Sequence, residues 1–254
     1  MASVQALDLI NIGPLGGPSE TGIETNAQYD AQNGYSGAVL AVGAVTGTIS
    51  YYGSISQAVT ALVNYTKNYV SAWKNYKSLQ PMVGISFNNS EASSTAGTNA
   101  ATIINDWLAQ VVSSISPLGP VWDVEYGANF SDYTDTMNML TAYKAGSSVT
   151  PFFDGTGNWT CSENLALFDY FGAAQMFPQC YCVNGDLTEW QGGCGGTPAG
   201  VTVTSDSGLS GCTITTAQSG INAYKSVFGG CPTMVLVYLG SSGSPQVSAS
   251  SLSC

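Results

Sequence analysis

Two acids separated by one residue, Asp123 and Glu125 in the run Val121-Trp122-Asp123-Val124-Glu125-Tyr126, have the type and spacing that acid/base chemistry needs. On an extended strand alternate side chains share a face, so both carboxyls project the same way. Held close and partly buried, such a pair divides its labour: repulsion and desolvation keep a proton on one carboxyl for donation while the other stays ionised. The alternative is a solvated pair or a helix cap. Against it stands the apolar setting of Val121, Trp122, Val124 and Tyr126, where two acids are costly to bury without a task.

Composition leaves few other tools. The 254 residues include no histidine and no arginine, and five lysines face sixteen Asp and Glu, for a net charge of −11. That excludes Ser-His-Asp triads, HExxH zinc sites and bidentate phosphate clamps. Nucleic acid and anionic membrane need clustered cations, so neither is expected as a partner. No GxGxxG, P-loop, CxxC pair or DxDxDG loop is present, so no cofactor and no metal are expected. Carboxylates remain the usual tools for glycosidic bonds and for hydrolysis in acid. Charged residues make up only 8% of the chain, against roughly 25% in typical soluble proteins. A chain with so few titrating groups is expected to lose little stability in acid, which points to an acidic habitat and a robust fold.

All seven cysteines, Cys161, Cys180, Cys182, Cys194, Cys212, Cys231 and Cys254, lie in the last part of the chain. Without histidine or CxxC spacing, disulfides in a secreted protein are the better reading. The odd count leaves at least one thiol free or paired between chains. Sequons at Asn64, Asn88, Asn129 and Asn158 fit a secreted glycoprotein. The opening MASVQALDL lacks the features of a signal peptide, and the longest near-apolar run, 37–45, is too short to span a bilayer.

The scaffold around the acids is read from alternating apolar runs and helical periodicity. Strands are expected at 6–13, within 37–52, and at 81–87, 121–127, 149–155, 200–204 and 233–240. Helices are expected at 54–79, 100–115, 133–145, 163–177 and 215–228, with Ser131 or Asp132 capping the third. Repeated βα order at this length predicts one (β/α)8 TIM-like barrel over 1–254, with a loop-rich, disulfide-rich C-terminal third and a low-complexity tail at 240–254. An open doubly wound α/β sheet is the alternative. In a barrel, active sites form at the C-terminal strand ends, where the run 121–127 places Asp123 and Glu125.

The stretch GPVWDVEYG at 119–127 resembles the fourth-strand signature of barrel glycoside hydrolases, most nearly the DGxDxDxE pattern of family-18 chitinases. Gly119, Asp123 and Glu125 match it, while Leu118 and Val121 stand where that family has acids. The resemblance implies Glu125 as general acid, Asp123 as its partner and a tyrosine from a later strand, Tyr181 being the candidate. The departures leave an N-acetylated sugar in question, and a two-carboxylate route would draw on Asp154, Asp186 or Glu189.

Other strand ends offer sugar-binding groups: Asp8, Asn11, Asn88, Tyr126 and Asp186, with Trp122, Trp159 and Trp190 as ring platforms. Together these features predict an extracellular glycoside hydrolase acting on a polysaccharide or oligosaccharide. An acid carboxyl peptidase and a non-catalytic surface, filament or virion protein are the competing classes. Sugar, linkage and oligomeric state are not set by the sequence.

Overall fold

In a computed structural model, residues 4–15, 17–45, 52–180, 185–191, 194–204, 216–238 and 248–254 are described. The strands are β1 (Gln5–Asn11), β2 (Gly37–Ala44), β3 (Met82–Asn88), the two-residue β4 (Ser116–Pro117), β5 (Val121–Val124), β6 (Phe152–Gly155), β7 (Gly200–Thr204) and β8 (Met234–Tyr238). All pair in parallel, in the order β6-β5-β3-β2-β1-β8-β7, with β4 a stub beside β3.

Segment 176–180 spans the gap between β6 and β7. Phe177 N–H donates to the Phe153 carbonyl at 2.9 Å and Gln179 N–H to that of Gly155 at 2.8 Å. On its other side, Cys180 N–H reaches the Thr202 carbonyl at 2.8 Å and Thr202 N–H the Pro178 carbonyl at 3.0 Å. Pro178 has no N–H to give, so pairing is broken there into isolated bridges, yet the segment occupies the eighth position around the sheet. The fold is a (β/α)8 barrel, and the open doubly wound alternative is excluded.

Crossovers are made by α1 (Ile23–Gln32), α2 (Ile55–Trp73), α3 (Ser94–Val111), α4 (Tyr133–Gly146), α5 (Cys161–Phe171), the short α6 (Gly185–Thr188) and α7 (Ala217–Phe228). Hydroxyls or carboxylates cap five of them: Ser54, Ser93, Asp132, Thr160 and Thr216 each accept from a backbone N–H in the first turn. Helix α3 begins at Ser94 rather than 100 because Ser93 converts the Ser-rich stretch into a first turn. The helix expected over 163–177 stops at Phe171, where Gly172 takes φ 82°. Beyond that glycine the chain turns into the segment that closes the barrel. Of the range 37–52, Gly37–Ala44 forms the strand and is buried along its whole length, which explains its uninterrupted apolar run; residues 46–51 lie outside the described part.

Two cores result. Inside the barrel, Leu7, Leu9, Val39, Val121, Phe177 and Leu236 fill the lower half. Outside, the opposite strand faces pack on the helices, with Trp73, Trp107, Trp122 and Trp190 fully buried. Disulfides Cys161–Cys194 and Cys231–Cys254 tie α5 to the approach of β7 and the C-terminus to the approach of β8. By closing loops of 33 and 23 residues they restrict the unfolded chain. The end of the expected tail is thus anchored, with Ala249 N–H on the Asn33 carbonyl at 2.9 Å; residues 239–247 lie outside the described part.

The sequons differ in setting. Asn64 sits half-buried within α2, bonded to Glu20 at 3.1 Å, and its Thr66 is buried under Trp107. Asn129 and Asn158 are exposed. No helix among the described residues is long and apolar enough to cross a membrane.

Candidate active site

At the C-terminal end of the barrel the register aligns three polar residues on adjacent strands. Asn88 of β3 pairs with Asp123 of β5, and Asp123 with Asp154 of β6. Val121 and Phe152 face the interior core, so alternation turns Asp123 and Asp154 inward above them. Gly155 makes this closeness feasible: a Cβ there would lie 2.1 Å from the Val124 carbonyl oxygen. From the closing segment Gln179 reaches in, its Nε2 donating to Asp123 Oδ1 at 2.8 Å.

Glu125 lies just past β5, on the loop. Its backbone is clamped by Asn89, which is buried: Glu125 N–H donates to Asn89 Oδ1 at 3.0 Å, and Asn89 Nδ2 donates back to the Glu125 carbonyl at 3.0 Å. The same Nδ2 also reaches Thr136 of α4 at 3.0 Å, so the clamp is anchored in the helix layer. Thus held, the Glu125 side chain stands near that of Asp123, close enough for each to act on the other's acidity.

Every carboxyl here holds its proton more tightly than usual. Asp123 is raised well above the ordinary range, first by burial and then by the charges of Asp154 and Glu125. Burial also raises Glu125, offset in part by the nearby Gln179 amide and Asp123 carboxyl. Asp154 is pushed up to about 7, chiefly by burial. Among the described residues no donor meets its oxygens in hydrogen-bond geometry, although Thr202 and Gln179 lie near enough to offset part of the cost. Asp123 and Glu125 are partly exposed at the opening, while Asp154 is sealed. The arrangement is a proton reservoir with one open end.

Most of the other expected residues reach this end of the barrel. Asn11 ends β1, and its Nδ2 donates to Tyr238 Oη of β8 at 2.7 Å. Asn88 folds back on its own turn, accepting from Ser90 N–H and Oγ at 3.2 and 2.8 Å. Tyr126 and Trp159 stand beside the cluster on the loops after β5 and β6.

Others are corrected. Asp8 faces outward from β1, between Ala6 and Ile10 of the outer core, and is buried behind the barrel wall rather than set at its opening. Trp190 is buried with its ring 5.2 Å from Phe153, and Trp122 is buried between Phe87 and Tyr143, so neither is a platform. Tyr181 and the Asp186 side chain lie outside the described residues. Asn89, a polar group expected at the end of the third strand, is present as the clamp on Glu125, while Gln179, Thr202 and Tyr238 are the site residues that sequence reasoning passed over. Alternation back from Tyr181 would have pointed to Gln179. Among the described residues no group of three or more acids or cysteines is arranged to hold a metal ion.

Fold and site together define a (β/α)8 barrel with a carboxyl cluster at its catalytic end. No family model matches the chain, and no curated protein matches it. Among solved structures it is similar to the phosphoenolpyruvate phosphomutase of Streptomyces platensis subsp. rosaceus, with TM-score 0.50 and 10% identity over 92% of this chain and 76% of that one. It is also similar to an oxaloacetate acetylhydrolase bound to 3,3-difluorooxalacetate, with TM-score 0.54 and 7% identity over 93% of this chain and 75% of that one. At such identity the likeness shows the fold alone.

Proposed function

We propose that the chain is an enzyme, an extracellular glycoside hydrolase that cleaves a polysaccharide, with Glu125 as the general acid. The observation that carries this reading is the Asp123–Glu125 pair at the C-terminal opening of the barrel, with Gln179 donating to Asp123 at 2.8 Å and both pKa values raised chiefly by burial. Asp123, the deeper member, holds the proton at rest. Glu125, at the opening, passes it to the oxygen of the departing sugar as the glycosidic bond breaks; water adds to the anomeric carbon, and the proton it sheds returns to the carboxyl pair. Asp154 acts from behind: sealed from substrate, it sets the charge felt by Asp123 and is a poor candidate for an attacking group. The partial match to family-18 chitinases at Gly119, Asp123 and Glu125 supports the same assignment. Work outside the cell is supported by the Cys161–Cys194 and Cys231–Cys254 disulfides.

The test is hydrolysis of dye-linked polysaccharides at acid pH by the wild-type chain and by Glu125→Gln. Loss of turnover with an unchanged melting temperature supports the role. Retained turnover removes Glu125 from it, and filament formation without any turnover favours a structural protein instead.

A further inference from the structure

Beside the carboxyl cluster the same end of the barrel carries a second concavity. The loop after β5 and the loop after β6 enclose an open cleft of about 530 Å³, lined among others by Tyr126, Phe130, Tyr133 and Trp159, with Asp132 and Glu163 at its polar side. That volume falls within the roughly 300–1,000 Å³ of small-ligand sites.

The aromatic wall is built from beneath. Trp159 is buried, and the rings of Tyr126 and Tyr133 meet it edge-on at 5.2 and 6.0 Å. Tyr126 is also held by its backbone, whose N–H reaches Thr156 Oγ1 at 3.3 Å. Its side chain nevertheless stays 59% exposed. Other exposed large apolar residues do not share this setting: Tyr76, Leu79 and Val112 lie at the opposite end, on the approaches to β3 and β5, and Leu165 lies on α5. A supported but uncovered ring, one residue from Glu125, is suited to stack against the C–H face of a sugar.

The polar side carries charge of one sign. Asp132 accepts from Asp135 N–H at 2.9 Å, and Glu163 Oε2 accepts from Thr160 N–H and Oγ1 at 2.8 and 2.6 Å. Both carboxylates are therefore fixed in place with acceptor capacity left for hydroxyls. Among the described residues no lysine lines the cleft, and the acids of the cluster lie beside it. Uronate or sulfate groups would meet uncompensated repulsion here.

We infer that this cleft binds a ring of a neutral polysaccharide chain next to the bond to be cleaved, stacked on Tyr126 and hydrogen-bonded to Asp132 and Glu163. The inference rests on the glycosidase reading for its place in the reaction, but the cleft's binding can be measured without turnover. The substrate is then an uncharged oligosaccharide, and polyuronates are excluded.

Intrinsic-fluorescence titration of Glu125→Gln with cellohexaose, chitohexaose, xylohexaose, laminarihexaose and hexagalacturonate tests this. A neutral hexasaccharide is expected to bind, and adding Tyr126→Ala is expected to weaken it about tenfold. Tyr76→Ala, at the far end, serves as the control that moves nothing. Binding of hexagalacturonate above the neutral sugars, affinity indifferent to Tyr126→Ala, or no neutral binder would each overturn the inference. The wild-type chain separates the two ideas. If it hydrolyses the hexasaccharide with a KM unmoved by Tyr126→Ala, the cleft is wrong and the enzyme stands. If it binds through Tyr126 and never hydrolyses, the cleft stands and the glycosidase reading falls.

Discussion

The molecule holds two buried clusters of acids, and they differ less in chemistry than in what covers them. Asp123 and Glu125 stand together at the barrel opening; Asp8 of β1 and Asp30 of α1 stand together behind the wall, each raising or offsetting the other's pKa. Asp8 is raised well above the ordinary range by burial and by the charge of Asp30, and Asp30 is pushed up to about 8 by burial. Tyr69 of α2 donates to Asp30 Oδ2 at 2.7 Å, and Lys77 acts on Asp30 electrostatically while its Nζ bonds the Tyr35 carbonyl at 2.7 Å. Among the described residues no amide, hydroxyl or amine donor meets the oxygens of Asp8 in hydrogen-bond geometry, although Asn26 lies near enough to offset part of the cost. The two acids are sealed between sheet and helices, and of their oxygens only Asp30 Oδ2 meets a donor in hydrogen-bond geometry among the described residues. A perturbed acidity therefore marks burial, and only exposure at a strand end turns burial into a candidate site.

Removing one carboxyl from each cluster puts this distinction at greatest risk. Glu125→Gln is expected to lower turnover about 10²–10⁴-fold, the usual contribution of a positioned acid or base. Asp8→Asn keeps the shape and lies behind the barrel wall, away from the opening, so turnover is expected to stay near wild type. Steady-state rates on one substrate decide it. Equal losses in the two variants would mean that the outer pair is coupled to the reaction.

Stability against pH probes both clusters at once. Each has folded-state acidities raised above their unfolded values, so each favours the fold most when protonated. That contribution is complete below the ordinary carboxyl range and is lost as pH rises through about 7 for Asp154 and about 8 for Asp30. The melting temperature is thus expected to climb as pH falls from about 8 toward 5. Asp154→Asn should flatten the part of the curve below about pH 7, and Asp8→Asn should lessen the slope in the same direction by removing a second raised acid. A melting temperature that falls steadily over this range would contradict both assignments.

The contrast also explains what the sequence could reveal. Alternation on the run 121–125 placed Asp123 and Glu125 together because Val121 and Val124 mark two different faces. The same reasoning fails on β1, where Ala6, Leu7, Leu9 and Ile10 are apolar on both sides of Asp8 and the phase is unreadable. Barrel order was legible from the strand and helix runs, with most boundaries within a few residues. The closing segment was not: its first residues continue the helical pattern of α5, and Pro178 interrupts its pairing, so Gln179 was hidden with it. Tertiary hydrogen bonds to β6 and β7 outweigh the local signal there.

A finer difference lies in how the clusters are held. Glu125 sits on a loop and depends on the Asn89 clamp, whereas Asp8 and Asp30 are carried by β1 and α1 themselves, with Tyr69 as an added donor. Asn89→Ala strips both hydrogen bonds from the Glu125 backbone, a loss of about 1–3 kcal/mol where the groups stay buried. Turnover is expected to drop about tenfold, because a loosened Glu125 no longer meets Asp123 in register. Tyr69→Phe removes one bond to Asp30 and is expected to cost about 1 kcal/mol of stability with turnover unaffected. Measured together, both variants should lower the melting temperature, and only Asn89→Ala should lower the rate. If Asn89→Ala lowers stability alone, the clamp is structural and Glu125 is positioned by its own contact with Asp123.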